Sequence, residues 1–261
     1  GKNYIERTVI AAIRNNIAIY AAHTNLDNVK LGVNNKIAEK LGLQNLRILS
    51  PKKELLRKLV TFCPLAQAEQ VRNALFEAGA GNIGNYDACS FNVEGKGTFR
   101  GNEKSTPFVG KPGELHTENE LRLEVIYEKW KEGHILDALK KAHPYEEVAY
   151  DLYTLENSYQ ETGSGMIGTL PAPLSGMKFL EMLKKSMKTQ VVRYTTLINS
   201  DIETVAVCGG SGSFLLPEAI RSGAQAFITG DFKYHQFFDA ENRIVIADIG
   251  HFESEQFTIE L

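Results

Sequence analysis

ETVAVCGGSGSFLLPEAIRSG (residues 203–223) contains three kinds of local pattern in order. An apolar run typical of a buried strand comes first, the glycine-rich turn CGGSGS (208–213) follows, and a helical segment closes the stretch. A strand, a tight turn and a helix form the building unit of α/β proteins. The stretch therefore predicts an α/β fold.

The neighbouring segments extend this pattern in both directions. We predict two further strands downstream, in AQAFITGD (224–231) and RIVIADIGH (243–251), and a helix followed by a strand upstream, in SGMKFLEMLKKSM (175–187) and VVRYT (191–195). Near the start of the chain we predict a helix over 4–15, a short buried strand in IAIYAAH (17–23) and a helix closed by Gly42. These elements belong to one α/β domain.

A different order of elements occupies the middle of the chain. Its predicted strands and helices follow the order β-α-β-β-α-β, which is the ferredoxin-like arrangement. The segments are KLVTF (58–62), AQAEQVRNALFEAG (66–79), NYDACSFNVEG (85–95), LRLEVIYE (121–128), HILDALKKAH (134–143) and EEVAYDLYTL (146–155). We therefore predict an interrupted α/β domain over 1–55 and 157–261, with a ferredoxin-like inserted domain over 56–156.

Composition excludes several classes of protein. The 261 residues carry a net charge of −3, which gives no strong nucleic-acid signature. No apolar run reaches the roughly 18 residues of a membrane helix, so we expect no membrane partner. The three cysteines form no CxxC pattern, and we expect them to be small core residues of a cytoplasmic protein. The chain begins inside a helical pattern without methionine, and we expect it to be a piece of a longer protein.

Two histidine–carboxylate pairs follow predicted strands. His23 and Asp27 lie four residues apart in AAHTNLDN (21–28), and His251 and Glu255 have the same spacing in IADIGHFESEQF (246–257). Ligand sites in α/β sheets gather where strands end, and these side chains are ligands of zinc, manganese and iron. Each pair alone also fits an ordinary polar loop or helix start. Together they favour a metal site.

Other motifs leave alternatives open. Asp231, Lys233 and His235 in TGDFKYHQ (229–236) could contact a substrate or shuttle a proton, or could belong to a polar loop in which Asp231 is a helix N-cap. CGGSGS is either an anion-binding nest or a tight strand–helix turn. GSGMIG (163–168) has the letters of a dinucleotide-binding motif, but no preceding strand is evident and a proline follows closely. His143, before a proline in AHPYEEVAYD, fits a structural turn.

Five motifs occur in the order in which they occur in a known family. They are IYAAHTNLDN, HPYEEVAYDLY, CGGSGS, TGDFKYH and IADIGHFESE, and they extend along most of the chain. On these motifs the chain resembles the Nif-three-like proteins, the GTP cyclohydrolase I type 2 homologues. Long members of that family carry an inserted domain similar to the CutA and nitrogen-regulatory folds, which agrees with the segment 56–156.

The resemblance implies a dinuclear metal site. It makes Asp27, His251 and Glu255 metal ligands, with Glu255 bridging two divalent ions (Zn, Mn or Fe) in the full-length protein. His23 would be a further ligand or would support one. The family's remaining ligands are two adjacent histidines upstream of residue 1, and no His-His pair occurs in this chain. The resemblance also implies a homo-hexamer.

Two functions follow from these expectations. The first is a metal-dependent hydrolase of the GTP cyclohydrolase I type, in which the ions activate water against a nucleotide substrate, His235 or His23 moves a proton, and Lys233 or CGGSGS meets the phosphates. The substrate comes from the resemblance alone. The second is a metal-containing regulatory or interaction protein that senses or docks through the inserted domain.

Overall fold

The computed structural model describes residues 1–21, 23–198 and 201–261. Within them the helices are α1 Tyr4–Arg14, α2 Thr24–Asp27, α3 Val33–Lys40, α4 Ala68–Glu77, α5 Glu132–Ala142, α6 Gly176–Ser186, α7 Leu216–Arg221 and α8 His251–Glu255. The strands are β1 Gln44–Lys52, β2 Leu56–Pro64, β3 Phe91–Phe99, β4 His116–Glu128, β5 Tyr150–Leu155, β6 Tyr159–Leu174, β7 Arg193–Tyr194, β8 Ile202–Ser211, β9 Ala226–Gly230 and β10 Val245–Asp248. Short 3-10 segments are Leu65–Gln67, Lys129–Lys131, Ser213–Leu215, Tyr234–Ala240 and Gln256–Glu260.

The chain forms two compact units. The first combines Gly1–Pro51 with Gln160–Leu261, and the second is Lys52–Tyr159. The first unit therefore comes from both ends of the chain, and the second is continuous in sequence.

A six-stranded mixed sheet forms the centre of the first unit. Its order is β1-β6-β8-β9-β10-β7, in which β8, β9 and β10 run parallel, β6 is antiparallel to β8, and β7 is antiparallel to β10. Because β8, β9 and β10 are parallel, their carboxyl ends lie along the same edge of the sheet. The loops after these strands carry the candidate site.

Alternating side chains of β8 enter two separate cores. Val205 and Val207 pack with α3 and α6 on one face, whereas Ala206 and Cys208 pack with α7 on the other. The neighbouring strands β9 and β10 alternate in the same way. A central strand buried on both faces has a continuous apolar run, which explains why residues 205–208 are all apolar.

The second unit has the ferredoxin-like topology. Its antiparallel sheet has the order β3-β4-β2-β5, and α4 and α5 cover one face with a core of their own. The predicted α/β fold with a ferredoxin-like insertion is thereby confirmed. The helices lie within one or two residues of their predicted starts, because their apolar positions repeat at helical spacing.

Three local predictions differ from the structure. Residues 17–21 form no strand and expose Ile17, Ile19 and Tyr20. Among the described residues no strand pairs with this segment, and apolar side chains without a pairing strand do not form a sheet. His23 consequently is the N-cap residue before α2 and does not end a strand. The segment before Phe91 is also irregular, and β3 begins six residues later than predicted, at 91 instead of 85.

The segment around GSGMIG is a strand, where we predicted none. It lies inside the long strand β6, and an added Cβ on Gly163 or Gly168 would collide with the backbone of β1 or the segment leading into it. These glycines therefore allow close strand packing, and the dinucleotide-binding interpretation fails because no helix follows the motif directly.

Burial separates the three cysteines. Cys63 and Cys208 are buried as expected, and burial raises the pKa of the Cys63 thiol to about 11. Cys89 is only half-buried, so it is not a core residue. Among the described residues, no helix has the length and apolar character needed to cross a membrane.

Candidate functional site

Asp248, at the end of β10, fixes the loops that carry the site. Its buried carboxylate accepts hydrogen bonds from the backbone N–H groups of Phe232 (2.9 Å) and Gly250 (2.9 Å) and pairs with Arg193. Phe232 follows β9, and Gly250 precedes α8 with a φ of 93°, in the region that favours glycine. One carboxylate therefore ties the turn after β9 to the start of α8.

His251 is the first residue of α8 and lies between two carboxylates. Its Nδ1 is 2.6 Å from Oδ2 of Asp231, and its Nε2 is 3.6 Å from Oε2 of Glu255, one helical turn further on. Asp231 adopts a positive φ of 58° directly after β9, a strained backbone for a non-glycine residue. The hydrogen bond to Nδ1 fixes the orientation of the imidazole and directs Nε2 toward Glu255.

Asp27 reaches the same place from α2. The side chain of Asn34 donates to the backbone oxygen of Asp27 (2.8 Å) and accepts from the N–H of Gly209 (2.9 Å). Asn34 is buried, so it links α2 to the turn after β8 through a fixed pair of bonds. His23 is exposed, and its Nδ1 is 3.0 Å from Oγ1 of Thr24.

The charges of these groups act on one another. Burial raises the pKa of Asp27 and that of Glu255, and the nearby His251 opposes both increases. The pKa of His251 is itself raised, chiefly by its hydrogen bond to Asp231 and further by the charges of Glu255 and Asp27. Three side chains from α2 and α8 thus form one electrostatic cluster in which a cation would relieve the repulsion between the carboxylates.

The turn CGGSGS packs under this cluster as a tight strand–helix turn. The N–H groups of Gly209, Gly210 and Gly212 donate to the side chains of Asn34, Ser254 and Thr229, each at 2.9 Å. These three amides are therefore already bonded and are not free for a phosphate. Gly210 has a φ of 63°, and an added Cβ would lie 2.6 Å from Oε1 of Glu255.

Lys233 and His235 lie on an exposed part of the loop after β9. Within the described residues, no hydrogen bond or ion pair joins either side chain to Asp27, His251 or Glu255. The residue of this loop that contacts the cluster is Asp231, which the sequence offered with Lys233 and His235 as a candidate for proton transfer or substrate contact, or as a helix N-cap. A positive φ cannot be read from sequence at an aspartate, so its bond to His251 could not be predicted.

The donor types fit a divalent metal ion, because carboxylates and an imidazole are ligands that zinc, manganese and iron accept. The hydrogen bond of Asp231 to the far nitrogen of His251 is the support that metal-binding histidines commonly have. Across 1–21, 23–198 and 201–261, however, no three His, Cys, Asp or Glu side chains are placed to hold a metal ion. The described side chains therefore provide suitable donors without a closed ligand set.

Known proteins match nearly the whole chain. A protein named "GTP cyclohydrolase 1 type 2 homolog" from Halalkalibacterium halodurans is 42% identical over 247 residues, which are 94% of this chain and 66% of that protein. A protein of the same name from Bacillus subtilis is 40% identical over 248 residues, again 94% of this chain and 66% of the relative. The chain thus spans just under two thirds of the length of these curated relatives.

The fold has solved counterparts. A Bacillus cereus protein described as related to NIF3 has a TM-score of 0.81 and 40% identity, and the match covers 97% of this chain and 68% of that one. A Staphylococcus aureus protein has a TM-score of 0.75 and 25% identity, covering 100% and 68%. The model of the Duf34/NIF3 (NGG1p interacting factor 3) family matches residues 1–261. The chain belongs to the Duf34/NIF3 family.

Proposed function

We propose that Asp27, His251 and Glu255 are metal ligands, and that the whole protein is a metal-dependent hydrolase with a nucleotide substrate. The observation that carries this proposal is the convergence of two desolvated carboxylates on a histidine whose other nitrogen is held by Asp231. Further ligands would come from parts of the protein beyond this chain, which spans 66% of the length of its curated relatives. The resemblance suggests two ions in all.

Each side chain has a role in this proposal. Asp27 and Glu255 would hold the ions and offset their charge, and the resemblance assigns Glu255 to both ions. Asp231 keeps the proton of His251 on Nδ1, which leaves Nε2 free to bind. Divalent ions held there would polarise a substrate and lower the pKa of a bound water. His23, exposed beside the cluster, would be a further ligand or a proton carrier.

The substrate part of the proposal rests on the relatives' names. His235 and Lys233 are exposed in the loop after β9, where a long substrate could contact them. We assign His235 to proton transfer and Lys233 to a phosphate. The homo-hexamer and a cytoplasmic location belong to the same proposal and rest on the resemblance.

The second candidate is a regulatory or interaction protein that uses the inserted unit. One observation favours it: residues 52–159 form a compact unit with its own core and a large cavity. In that case metal would be retained while no nucleotide is turned over.

Elemental analysis of metal content tests the ligand assignment. The protein is loaded with Zn, Mn or Fe, dialysed and compared with Asp27→Ala, Glu255→Gln and a matched control, Glu253→Gln, which changes a carboxylate of the same helix that does not act on His251. We expect the first two variants to lose metal with unchanged circular dichroism and the control to keep it. Equal metal content in all four proteins would disprove the assignment.

Turnover tests the hydrolase assignment. We expect the metal-loaded protein, in a form that includes the adjacent histidine pair implied by the resemblance, to process GTP or a related nucleotide, and Glu255→Gln to abolish that activity. A metal-loaded extended protein that leaves GTP, other nucleotides and simple phosphoesters unchanged would refute the enzyme and favour the regulatory candidate.

A further inference from the structure

The inserted unit contains a cavity of about 690 Å³ on the sheet face that α4 and α5 leave open. Its size is that of a site for a small organic ligand. The segment 100–108, which follows β3, contributes one wall, and β3, β4 and the segment 145–149 contribute the others. Every lining residue lies within 62–149, so the cavity belongs to this unit alone.

Two glycines of β3 create the floor. An added Cβ on Gly95 would meet nothing within 4 Å, so it would project into empty space. An added Cβ on Gly97 would overlap the carboxylate of Glu120, which lies directly over this residue. The space therefore exists because β3 lacks two side chains on one face, and it contains a carboxylate.

Glu120 is a buried carboxylate with little compensation. It is only 8% exposed, and its one described hydrogen bond comes from the hydroxyl of Tyr145 to Oε1 at 2.9 Å. Among the described ion pairs none includes Glu120, and the neighbouring Arg122 pairs with Glu124 at 2.9 Å instead. Oε2 of Glu120 has no hydrogen bond among the described residues and is not one of their fully buried unsatisfied atoms, so it is open to an N–H donor that enters the cavity.

Aromatic rings surround the space near this carboxylate. The rings of Phe99 and Tyr145 are 5.9 Å apart, and those of Phe108 and Tyr145 are 6.3 Å apart. Phe62 also lines the cavity. Ring faces of this kind bind planar groups by stacking.

We propose that this cavity binds a small molecule whose planar nitrogen group presents two adjacent N–H donors to Glu120. A carboxylate accepts such a pair in parallel, as it does from a guanidinium. Two sources share this chemistry: a ring with adjacent N–H and NH₂ groups, as in guanine, and a free guanidinium compound such as arginine. A guanidinium would offset the charge of the Glu120 carboxylate, and a neutral ring would donate hydrogen bonds to it. In both cases the planar group stacks on the aromatic side chains that line the cavity.

Calorimetric titration of the protein with guanosine, arginine and adenosine tests the proposal. Adenosine is the control because its ring offers no adjacent pair of N–H donors on one edge. We expect guanosine or arginine to bind and adenosine to bind at least tenfold more weakly; whichever of the two binds identifies the source. If neither binds up to its solubility limit, or if adenosine binds equally well, the proposal is wrong.

Two variants locate the binding. Glu120→Gln replaces one acceptor oxygen by a donor and should weaken binding at least tenfold. Gly95→Leu fills the cavity from a strand position where a Cβ meets no atom, and it should abolish binding without unfolding the protein. Gly133→Leu is the matched control, because its added Cβ also meets nothing within 4 Å and it lies outside the cavity. Undiminished binding by Gly95→Leu would place the ligand elsewhere and overturn the proposal.

Ligand binding in this cavity does not depend on the proposed metal site. Asp27→Ala should leave the titration unchanged, and Gly95→Leu should leave the metal content unchanged. Failure of one proposal is therefore visible without failure of the other.

Discussion

Asp231 acts on His251 through a single hydrogen bond, which makes its removal a sharp test. In Asp231→Asn we expect the pKa of His251 to fall, because that bond is the main cause of its increase. Zinc affinity should fall about 10–100-fold, as for other supports of metal-binding histidines. NMR titration of the imidazole and a zinc-binding isotherm measure the two effects.

The control for this experiment is Asp239→Asn, an exposed aspartate of the following 3-10 segment with no described contact to the cluster. It should change neither quantity. An unchanged His251 titration in Asp231→Asn would show that the hydrogen bond does not set the pKa.

His143 is buried in the inserted unit as a neutral imidazole. Its Nε2 lies 2.9 Å from the backbone oxygen of Phe62, and its Nδ1 accepts from the N–H of Tyr145 at 3.2 Å. Only the tautomer with the proton on Nε2 satisfies both bonds, and protonation of Nδ1 would place two N–H groups against each other. Burial accordingly lowers the pKa of His143.

This burial predicts a pH-dependent stability. Because the folded pKa lies below the unfolded value of about 6.5, the unfolded state binds the proton more readily, and the free energy of unfolding should fall as the pH drops through that value. Urea unfolding followed by the fluorescence of Trp130, the single tryptophan, measures it. His143→Gln should weaken the pH dependence, and the exposed His134→Gln should keep it.

At the level of residues, the spacing of two histidine–carboxylate pairs and the resemblance to a known family indicated Asp27, His251 and Glu255. The strand predicted before His251 is present as β10, whereas residues 17–21, before Asp27, form no strand. The structure places their charges within one cluster. Sequence reasoning did not predict the bond of Asp231 to His251 or the role of Asn34. The first depends on a positive φ, and the second on a hydrogen bond between residues 175 positions apart in sequence. Such contacts follow from the tertiary fold, and local pattern does not encode them.

At the level of elements, the carboxyl end of β8 limits how closely α8 approaches the sheet. Gly210 and Gly223 both have positive φ, but only at Gly210 would an added Cβ meet Glu255. We expect Gly223→Ala to cost about 1–2 kcal/mol for its backbone conformation. Gly210→Ala should cost roughly 1–3 kcal/mol more because it also crowds the packing.

Chemical denaturation of the two variants measures these free energies, and elemental analysis of the loaded proteins completes the comparison. Gly210→Ala should also lose metal, since Glu255 must move, whereas Gly223→Ala should retain it. Equal destabilisation of both variants would contradict the close packing of α8 on β8.

Most elements followed from periodicity, and the exceptions have physical reasons. The strand β6 was not predicted because Gly163, Gly165 and Gly168 interrupt its apolar pattern, although Gly163 and Gly168 are the residues that let β1 approach. The apolar segment 17–21 predicted a strand that the structure does not form, since a strand depends on a neighbour with which to bond.

At the scale of the whole molecule, the two units have separate cores. The inserted unit buries Leu59, Leu123 and Ile135 with their neighbours in one cluster, and the two clusters of the first unit contain none of these residues. We therefore expect a polypeptide of residues 52–159 to fold by itself. Circular dichroism and a cooperative thermal transition would show it, and a spectrum of unfolded chain would contradict it.

We predicted an inserted domain over 56–156 because the order β-α-β-β-α-β is complete within that segment. The compact units of the structure are residues 52–159 and the remainder of the chain. Assembly and the full ligand set lay beyond such reasoning, since both depend on surfaces and segments outside the local pattern.

The pairing of β2 with β5 has a consequence for how the host unit tolerates its interruption. Leu56 and Leu155, near the two ends of the insertion, face each other as an antiparallel pair, so their Cα atoms are only about 4.5–5.5 Å apart. Loop-closure entropy depends on the free chain between two points, and each doubling of a flexible loop costs about 0.6 kcal/mol. Once the insertion has folded, its two ends are held close together. The loop-closure entropy that the first unit loses on folding is then similar to that of a short turn.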